Sequence, residues 1–340
     1  SEAASLGNLG NAYKSLSQYQ QAIEFYQQVL ETFREIGDRH SEAASLNNLG
    51  EAYRYLGQYS RAIEFYQQSL SIFREIGDRS GETAPLNNLG IIYDALGQHR
   101  KAIEIYKQIF KVFRETSNRS GESLILMNLG NAYQSLGQYP QAIEFQQQSL
   151  EIFREVDDRS GEAKALDNLG YTHSSLNQYR QAIEFYQQSL EIFREIGDRS
   201  GEANTLSNLG QAYNLQEQCH QAIELHLQSL DIFREIGDRG GEANALSNLG
   251  NAYGYLGRYR QAVDLYQQVL ETYREIGNRR SESRTLMNLG NVYGSIGQYR
   301  QAVELYQQSL AIKSESGDRH GTANALVNLG DALARLDQKW

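Results

Sequence analysis

The sequence predicts an all-α solenoid of stacked antiparallel helix pairs, and three observations carry that prediction. The tripeptide Asn-Leu-Gly recurs at Asn8, Asn48, Asn88, Asn128, Asn168, Asn208, Asn248, Asn288 and Asn328, always 40 residues apart, with no insertion or deletion between copies. A fixed period of this size marks units that bury their apolar faces only by stacking on their neighbours. Within each unit the apolar residues follow a helical spacing, in two stretches separated by Gly and polar residues. The expected organisation is one array of eight repeats (1–40, 41–80, 81–120, 121–160, 161–200, 201–240, 241–280 and 281–320) with a terminal half repeat, 321–340. Length alone suggests two or three globular domains, but the unbroken register overrides that prior.

The stretch from Ser41 to His99 serves as the sample. Asp38 and Ser41 followed by Glu42 suit a helix N-terminus, so a first helix runs to about Leu56. Gly57-Gln58 is the turn, and a second helix runs from about Tyr59 to Ile76. Gly77-Asp78-Arg79 closes it, with Gly where a left-handed C-cap belongs. The two prolines, Pro85 and Pro140, fall near helix starts, where Pro does least damage; Pro85 lies deep enough to distort the first turns.

Counting Ser41 as position 1, positions 6, 9, 10 and 13 of the first helix share one face at about 100° per residue. In the sample they are Leu46, Leu49, Gly50 and Tyr53, and the Leu at 6 and Leu-Gly at 9 and 10 are identical in all nine copies. This face is the expected core. A mid-helix Gly costs roughly 1 kcal/mol relative to Ala, so its recurrence implies a second helix backbone crossing too close for a Cβ. The expected partner is the Ala of the second helix (Ala22, Ala62, Ala102, Ala142, Ala182, Ala222, Ala262 and Ala302). The rest of that helix's apolar face is Ile63, Tyr66, Leu70, Phe73 and Ile76, with Arg61, Glu64, Gln68 and Glu75 opposite.

These residues resemble the tetratricopeptide repeat family across the whole chain, through Leu46, Leu49-Gly50, Tyr53, Ala62, Tyr66 and Ser69 and their counterparts. Two departures stand out: the period is 40 residues rather than the family's 34, and Arg74 occupies the place of its closing Pro. Long repeats of this kind look like the Pins/LGN adaptors and bacterial arrays, with kinesin light chains a looser match. The resemblance implies a right-handed superhelix whose first helices line a concave groove for extended peptides.

Positions 4, 7, 11, 14 and 15 vary strongly between copies and share a stripe about 160° from the core. Packing holds a residue to one size, so a stripe this variable is an exposed surface that differs from rung to rung. Position 8 is different: it is Asn in every copy although Asn is a mediocre helix former. Its carboxamide offers both a donor and an acceptor, which suits a ladder gripping a peptide main chain; equally, each Asn can bond a neighbouring helix and hold the repeat spacing. At roughly 0.5–1.5 kcal/mol per net hydrogen bond, five or six rungs with a few pockets reach micromolar affinity, about −8 kcal/mol. The candidate groove set is the ladder Asn48, Asn88, Asn128, Asn168, Asn208, Asn248 and Asn288, with Asn47, Asn87, Met127 and Asp167 at position 7. Position 11 adds Ile91, Asn131, Tyr171, Asn251 and Asn291, and position 4 adds Leu124, Lys164, Asn204, Asn244 and Arg284. The apolar members Ile91, Leu124, Met127 and Tyr171 are the expected hydrophobic anchor.

The stripe's charges are Lys14, Arg54, Lys164, Arg284 and Arg335 against Glu51, Asp94, Asp167 and Asp331, which sum to +1. The chain's formal net charge is −10. Such a balance argues against nucleic acid and against an anionic membrane as partners. The single Cys219 excludes an internal disulfide and suits a reducing, cytoplasmic setting. No run approaches the length of a membrane span and no signal-peptide pattern is present. Ser1 stands at the very start of a repeat, as in a segment of a longer array.

Glu35, Arg39 and Glu42 read as a salt-bridge cluster across the turn between repeats. Cys219, His220 and His226 are close in sequence, but the two histidines point to different helix faces, so no metal is expected. No phosphate loop, nucleophile elbow or convergent carboxylate pair appears. The expected protein is a non-catalytic, cofactor-free scaffold for an extended peptide or partner segment. Two alternatives stay open: an array that stacks end to end on itself, and a sensor segment of a larger signalling protein.

Overall fold

The computed structural model describes residues 2–316 and 318–337. Among these, helices account for all regular structure: α1 (Glu2–Ser15), α2 (Tyr19–Ile36), α3 (Arg39–Tyr55), α4 (Tyr59–Glu75), α5 (Thr83–Ala95), α6 (His99–Glu115), α7 (Arg119–Ser135), α8 (Tyr139–Glu155), α9 (Arg159–Ser175), α10 (Tyr179–Ile196), α11 (Arg199–Leu215), α12 (Cys219–Glu235), α13 (Arg239–Tyr255), α14 (Tyr259–Glu275), α15 (Arg279–Ile296), α16 (Tyr299–Ser316) and α17 (Arg319–Asp337). Odd-numbered helices are the first helix of a repeat and even-numbered ones the second. They form a solenoid of helix pairs, divided into two compact units, Ser1–Gly161 and Glu162–Trp340.

The punctuation works as the residues dictate. Asp38 caps α3, its Oδ1 accepting from the Ser41 backbone N–H at 3.0 Å, and Asn118, Asp198, Asp238 and Asn278 do the same for α7, α11, α13 and α15. Pro85 has the expected effect: α5 begins only at Thr83, four residues later than the equivalent start in α3 or α7. Pro140 sits in the first turn of α8 and leaves it at full length.

Every turn within a repeat, and most turns between repeats, needs one residue with positive φ. Gly57, at φ 71°, meets that need in the second repeat, whereas Ser17, Asn177 and Glu217 stand at the same place with φ of 59°, 59° and 63°. A side chain there costs roughly 1–2 kcal/mol, part of which Gly returns as unfolded-chain entropy. Glu217→Gly is therefore expected to raise the stability of the carboxy-terminal unit by about 0.5–1 kcal/mol in urea titration; an unchanged midpoint would sink this account.

The core is the uniform seam expected from the pattern. Leu46, Leu49, Ala52, Ala62 and Tyr66 are fully buried, and their counterparts repeat this in the following helix pairs. In α1 and α17, the first and last helices described, the seam is open: Leu9 is 46% and Leu326 52% exposed. One expectation is corrected. The close neighbour of the mid-helix Gly is an aromatic ring rather than a helix backbone. A Cβ on Gly50 would lie 2.6 Å from Tyr66 Cε1, and on Gly170 2.7 Å from Tyr186 Cε1. At Gly130, where Gln146 replaces the aromatic, the nearest atoms are Gln146 Cγ at 2.6 Å and the Ala142 carbonyl oxygen at 3.2 Å. Ala is required beside this ring because it too is fully buried.

The ion pairs between repeats also differ in wiring from the expected cluster. Glu42, buried at 6%, accepts from Arg34 at 2.9 Å and Arg39 at 2.5 Å, while the other arm of Arg39 reaches Glu75 of the next repeat at 2.6 Å. Glu35 has no ion pair among the described residues; its counterpart Glu75 closes the link one repeat on. Burial pushes the Glu42 carboxyl up, but the two arginines outweigh this and hold it below the usual range. The same wiring recurs at Arg274, Glu282 and Arg279.

Candidate functional site

The variable stripe converges in the carboxy-terminal unit. First helices α9, α11, α13 and α15 together line a hollow of about 560 Å³, using Tyr171, Ser174 and Ser175 from α9, then Asn204, Ser207, Asn208, Gln211 and Leu215 from α11. From α13 come Asn244, Ser247, Asn248 and Asn251, and from α15 Arg284 and Asn288. Tyr186 and Phe233 of the second helices form part of its floor. Lys164, Asp167 and Asn168 lie in a second recess with Asn204 and Thr205, and Asn291 lines a third with Asn251 and Asn288.

In the amino-terminal unit, Asn47, Asn48, Asn87, Asn88, Ile91, Met127, Asn128 and Asn131 are half-buried on first helices, and Leu124 is exposed. Of the expected hydrophobic anchor, Tyr171 alone lines the hollow, and it is half-exposed at 52%.

The Asn ladder proves to be of two kinds. Asn88 Nδ2 donates to Asn47 Oδ1 at 3.1 Å, Asn128 Nδ2 to Asn87 Oδ1 at 3.2 Å and Asn208 Nδ2 to Asp167 Oδ2 at 3.0 Å. These rungs are ties between consecutive repeats. Position 7 of the preceding repeat decides the matter, because only a side chain with an acceptor at the right reach can take the amide. Ser207 is too short and bonds Ser229 instead, at 2.8 Å, and Ser247 is buried. The carboxamides of Asn248 and Asn288 consequently have no side-chain hydrogen bond among the described residues and face the hollow. The earlier alternatives are therefore divided between rungs.

Position 11 orients further amides. Tyr266 donates its hydroxyl to Asn251 Oδ1 at 2.6 Å and Tyr306 to Asn291 Oδ1 at 2.8 Å, and neither NH₂ group has a hydrogen-bond partner among the described residues. Where the tyrosine is replaced, position 14 joins in: Gln146 bonds Gln134 as well as Asn131 of position 11, and His226 bonds Asn214. His226 is fully buried while His220 is exposed, on a different face of α12. Burial drives the His226 imidazole down to about 4.

Most charges of the stripe are already paired. Lys14 meets Glu51 at 2.7 Å, Asp94 meets His99 at 2.6 Å and Arg335 meets Asp331 at 3.1 Å. Asp167 keeps a solvent-facing edge, yet burial lifts its carboxyl to about 6 against the opposing hydrogen bonds from Thr205 and Asn208. Arg284 has no acidic partner among the described residues. Sequence reasoning passed over Tyr273, which donates its hydroxyl to Asn244 Oδ1 at 2.7 Å. The signal was present as the one Tyr at a position that is Phe in the six preceding repeats.

Paired helices with a constant seam and a changing polar face define the class of helical-repeat proteins, a fold typical of protein-interaction scaffolds and generally non-catalytic. The chain belongs to the tetratricopeptide repeat family, whose pattern it matches over residues 1–75, 62–115, 122–195, 201–275 and 279–340. No curated protein matches its sequence. Among solved structures it is similar to the apo form of the quorum sensor NprR from B. thuringiensis, with TM-score 0.71 and 16% identity over 89% of this chain and 86% of that one. The apo form of RapI gives TM-score 0.67 and 18% identity over 82% of this chain and 100% of that one. A Rap protein complexed with Competence and Sporulation Factor gives TM-score 0.63 and 14% identity over 100% and 99%. At such identities the likeness concerns the fold. No helix among the described residues is long and apolar enough to cross a membrane.

Proposed function

We propose that this chain is a non-catalytic scaffold that holds an extended peptide or partner segment in the hollow lined by α9, α11, α13 and α15. One observation carries this reading: side chains under no packing constraint, from four successive repeats, converge on one polar hollow with two unpaired carboxamides, Asn248 and Asn288. A carboxamide can bond both the N–H and the C=O of an extended main chain, and the neighbouring Tyr171 ring supplies apolar area. The groove set in the amino-terminal unit carries similar surface chemistry of its own, with Asn88 and Asn128 acting mainly as repeat ties. The polar, nearly neutral hollow suits a peptide better than nucleic acid, whose phosphates need clustered cations.

The test is selection of binding peptides from a random displayed library, followed by affinity measurement on the recovered peptides. Asn248→Ala with Asn288→Ala is expected to weaken binding at least tenfold, about 1.4 kcal/mol, with the melting temperature unchanged. Failure to recover any peptide on the wild type, or full affinity in the double variant, would overturn the reading.

A further inference from the structure

We infer that the junction between the seventh and eighth repeats holds an aryl phosphate, its ring in a recess between α15 and α16 and its phosphate on Arg280 and Lys313. Neither residue belongs to the variable stripe, so this site goes beyond the groove reading and does not depend on it. Position 33 is aromatic in the first seven repeats, from Phe33 to Tyr273, and is Lys313 in the eighth. In an earlier repeat the ring packs on the start of the next first helix: a Cβ on Gly121 would lie 2.8 Å from Phe113 Cε1. In the eighth, a Cβ on Gly321 would instead lie 2.5 Å from Lys313 Nζ. A thin methylene chain has replaced a flat ring, and it does not fill the same width. A recess of about 530 Å³ is lined there by Arg279, Arg280 and Ser283 of α15 and by Ile312, Lys313 and Glu315 of α16. That size suits a small organic ligand, and the buried Ile312 gives it an apolar wall.

The charge changes in step with the shape. Position 40 of one repeat faces position 33 of the next, as His40 meets Phe73 edge to face at 5.5 Å. Position 40 is then Ser80, Ser120, Ser160, Ser200 and Gly240, before Arg280 stands opposite Lys313. Two like charges facing one recess repel unless an anion is shared between them. The acids nearby answer this only in part. Asp318 accepts from the Gly321 N–H at 2.9 Å as the cap of α17, and its other oxygen stays 3.6 Å from Lys313 Nζ. Glu315 lies 3.7 Å from Arg279, where the equivalent Arg39–Glu75 pair closes at 2.6 Å. Arg280 is exposed and makes no hydrogen bond or ion pair among the described residues. A phosphate brings about −1.5 to −2 charges and three acceptor oxygens, enough for both cations. An attached ring takes the width that a phenyl side chain occupies in the earlier repeats.

Titration of the full chain followed by ligand-observed NMR provides the test, with phenyl phosphate, inorganic phosphate and benzyl alcohol as probes. Phenyl phosphate is expected to bind about tenfold more tightly than either of the others, since only it meets both walls. Lys313→Phe, which restores the ring of the earlier repeats, should abolish binding with the melting temperature equal or higher. Arg280→Ser, which restores the residue of four other repeats, should weaken binding about tenfold by removing one charged donor. A short peptide carrying phosphotyrosine separates the two sources of the group. Tighter binding than phenyl phosphate assigns it to a polypeptide, and equal or weaker binding to a free aryl phosphate. Inorganic phosphate binding as tightly as phenyl phosphate indicates an adventitious ion only and overturns the site. No binding of phenyl phosphate, or binding that survives Lys313→Phe, overturns it too.

Discussion

Gly50→Val is expected to destabilise the amino-terminal unit by about 2–3 kcal/mol, the size of a severe overpacking defect. The new Cβ would stand 2.6 Å from Tyr66 Cε1 and 2.7 Å from its Cδ1. Tyr66 is fully buried in the same core cluster as Leu46, Leu49, Leu86 and Leu89, so its ring has little room to swing away. Ala at the same site gains up to about 1 kcal/mol of helix propensity, which only partly offsets the clash, and Val gains less while adding two methyl groups. Gly7→Ala is the control: it is helical, and nothing lies within 4 Å of its Cβ. Urea unfolding should show a lower midpoint for Gly50→Val and an equal or higher one for Gly7→Ala. Equal midpoints for Gly50→Val and the wild type would refute the ring-over-glycine account.

The second large effect is a pair of opposed pH dependences in the carboxy-terminal unit. The His226 imidazole is held at about 4, below its ordinary value of 6.5, so the unfolded chain takes up its proton first on acidification. Stability present above pH 6.5 is then lost as the pH falls through 4, by about 3 kcal/mol. Asp167 runs the other way. Its carboxyl is raised from 3.8 to about 6, so stability present below 3.8 is lost as the pH rises through 6. Its solvent-facing edge reduces that loss to about 1–2 kcal/mol.

Each variant should expose the other group's slope. His226→Gln, which copies the side chain of Gln146 in the equivalent slot, should leave a unit that weakens as pH rises from 4 to 6. Asp167→Asn, which keeps an acceptor for Thr205 and Asn208, should leave one that strengthens over the same range. Denaturant titrations at several pH values read both, and parallel slopes for the two variants would sink the assignment.

The repeat period, the two helices of each unit, their caps and the identity of the seam were legible in the sequence. They follow from local spacing and residue chemistry, which nine aligned copies display without any alignment of relatives. Even the late start of α5 could be read from Pro85. The variable stripe was legible for the same reason, since freedom to vary is itself visible from copy to copy.

What local spacing could not disclose were contacts between residues in different helices. The glycine column pointed to a close approach, but only packing revealed a tyrosine ring as the neighbour. Arg39 looked like a partner of Glu35 and instead reaches Glu75, because the next repeat brings that carboxylate nearer.

The sequence by itself determined that this chain is a tetratricopeptide solenoid with a constant interior and a changing face, because periodicity alone specifies which side chains must be buried. Tertiary structure alone decided which asparagines are tied and which are free. That choice depends on whether position 7 of the preceding repeat reaches across a helix gap, a distance that residue spacing within one repeat does not encode. The same holds for the hydroxyl of Tyr273, whose partner Asn244 lies on a different helix.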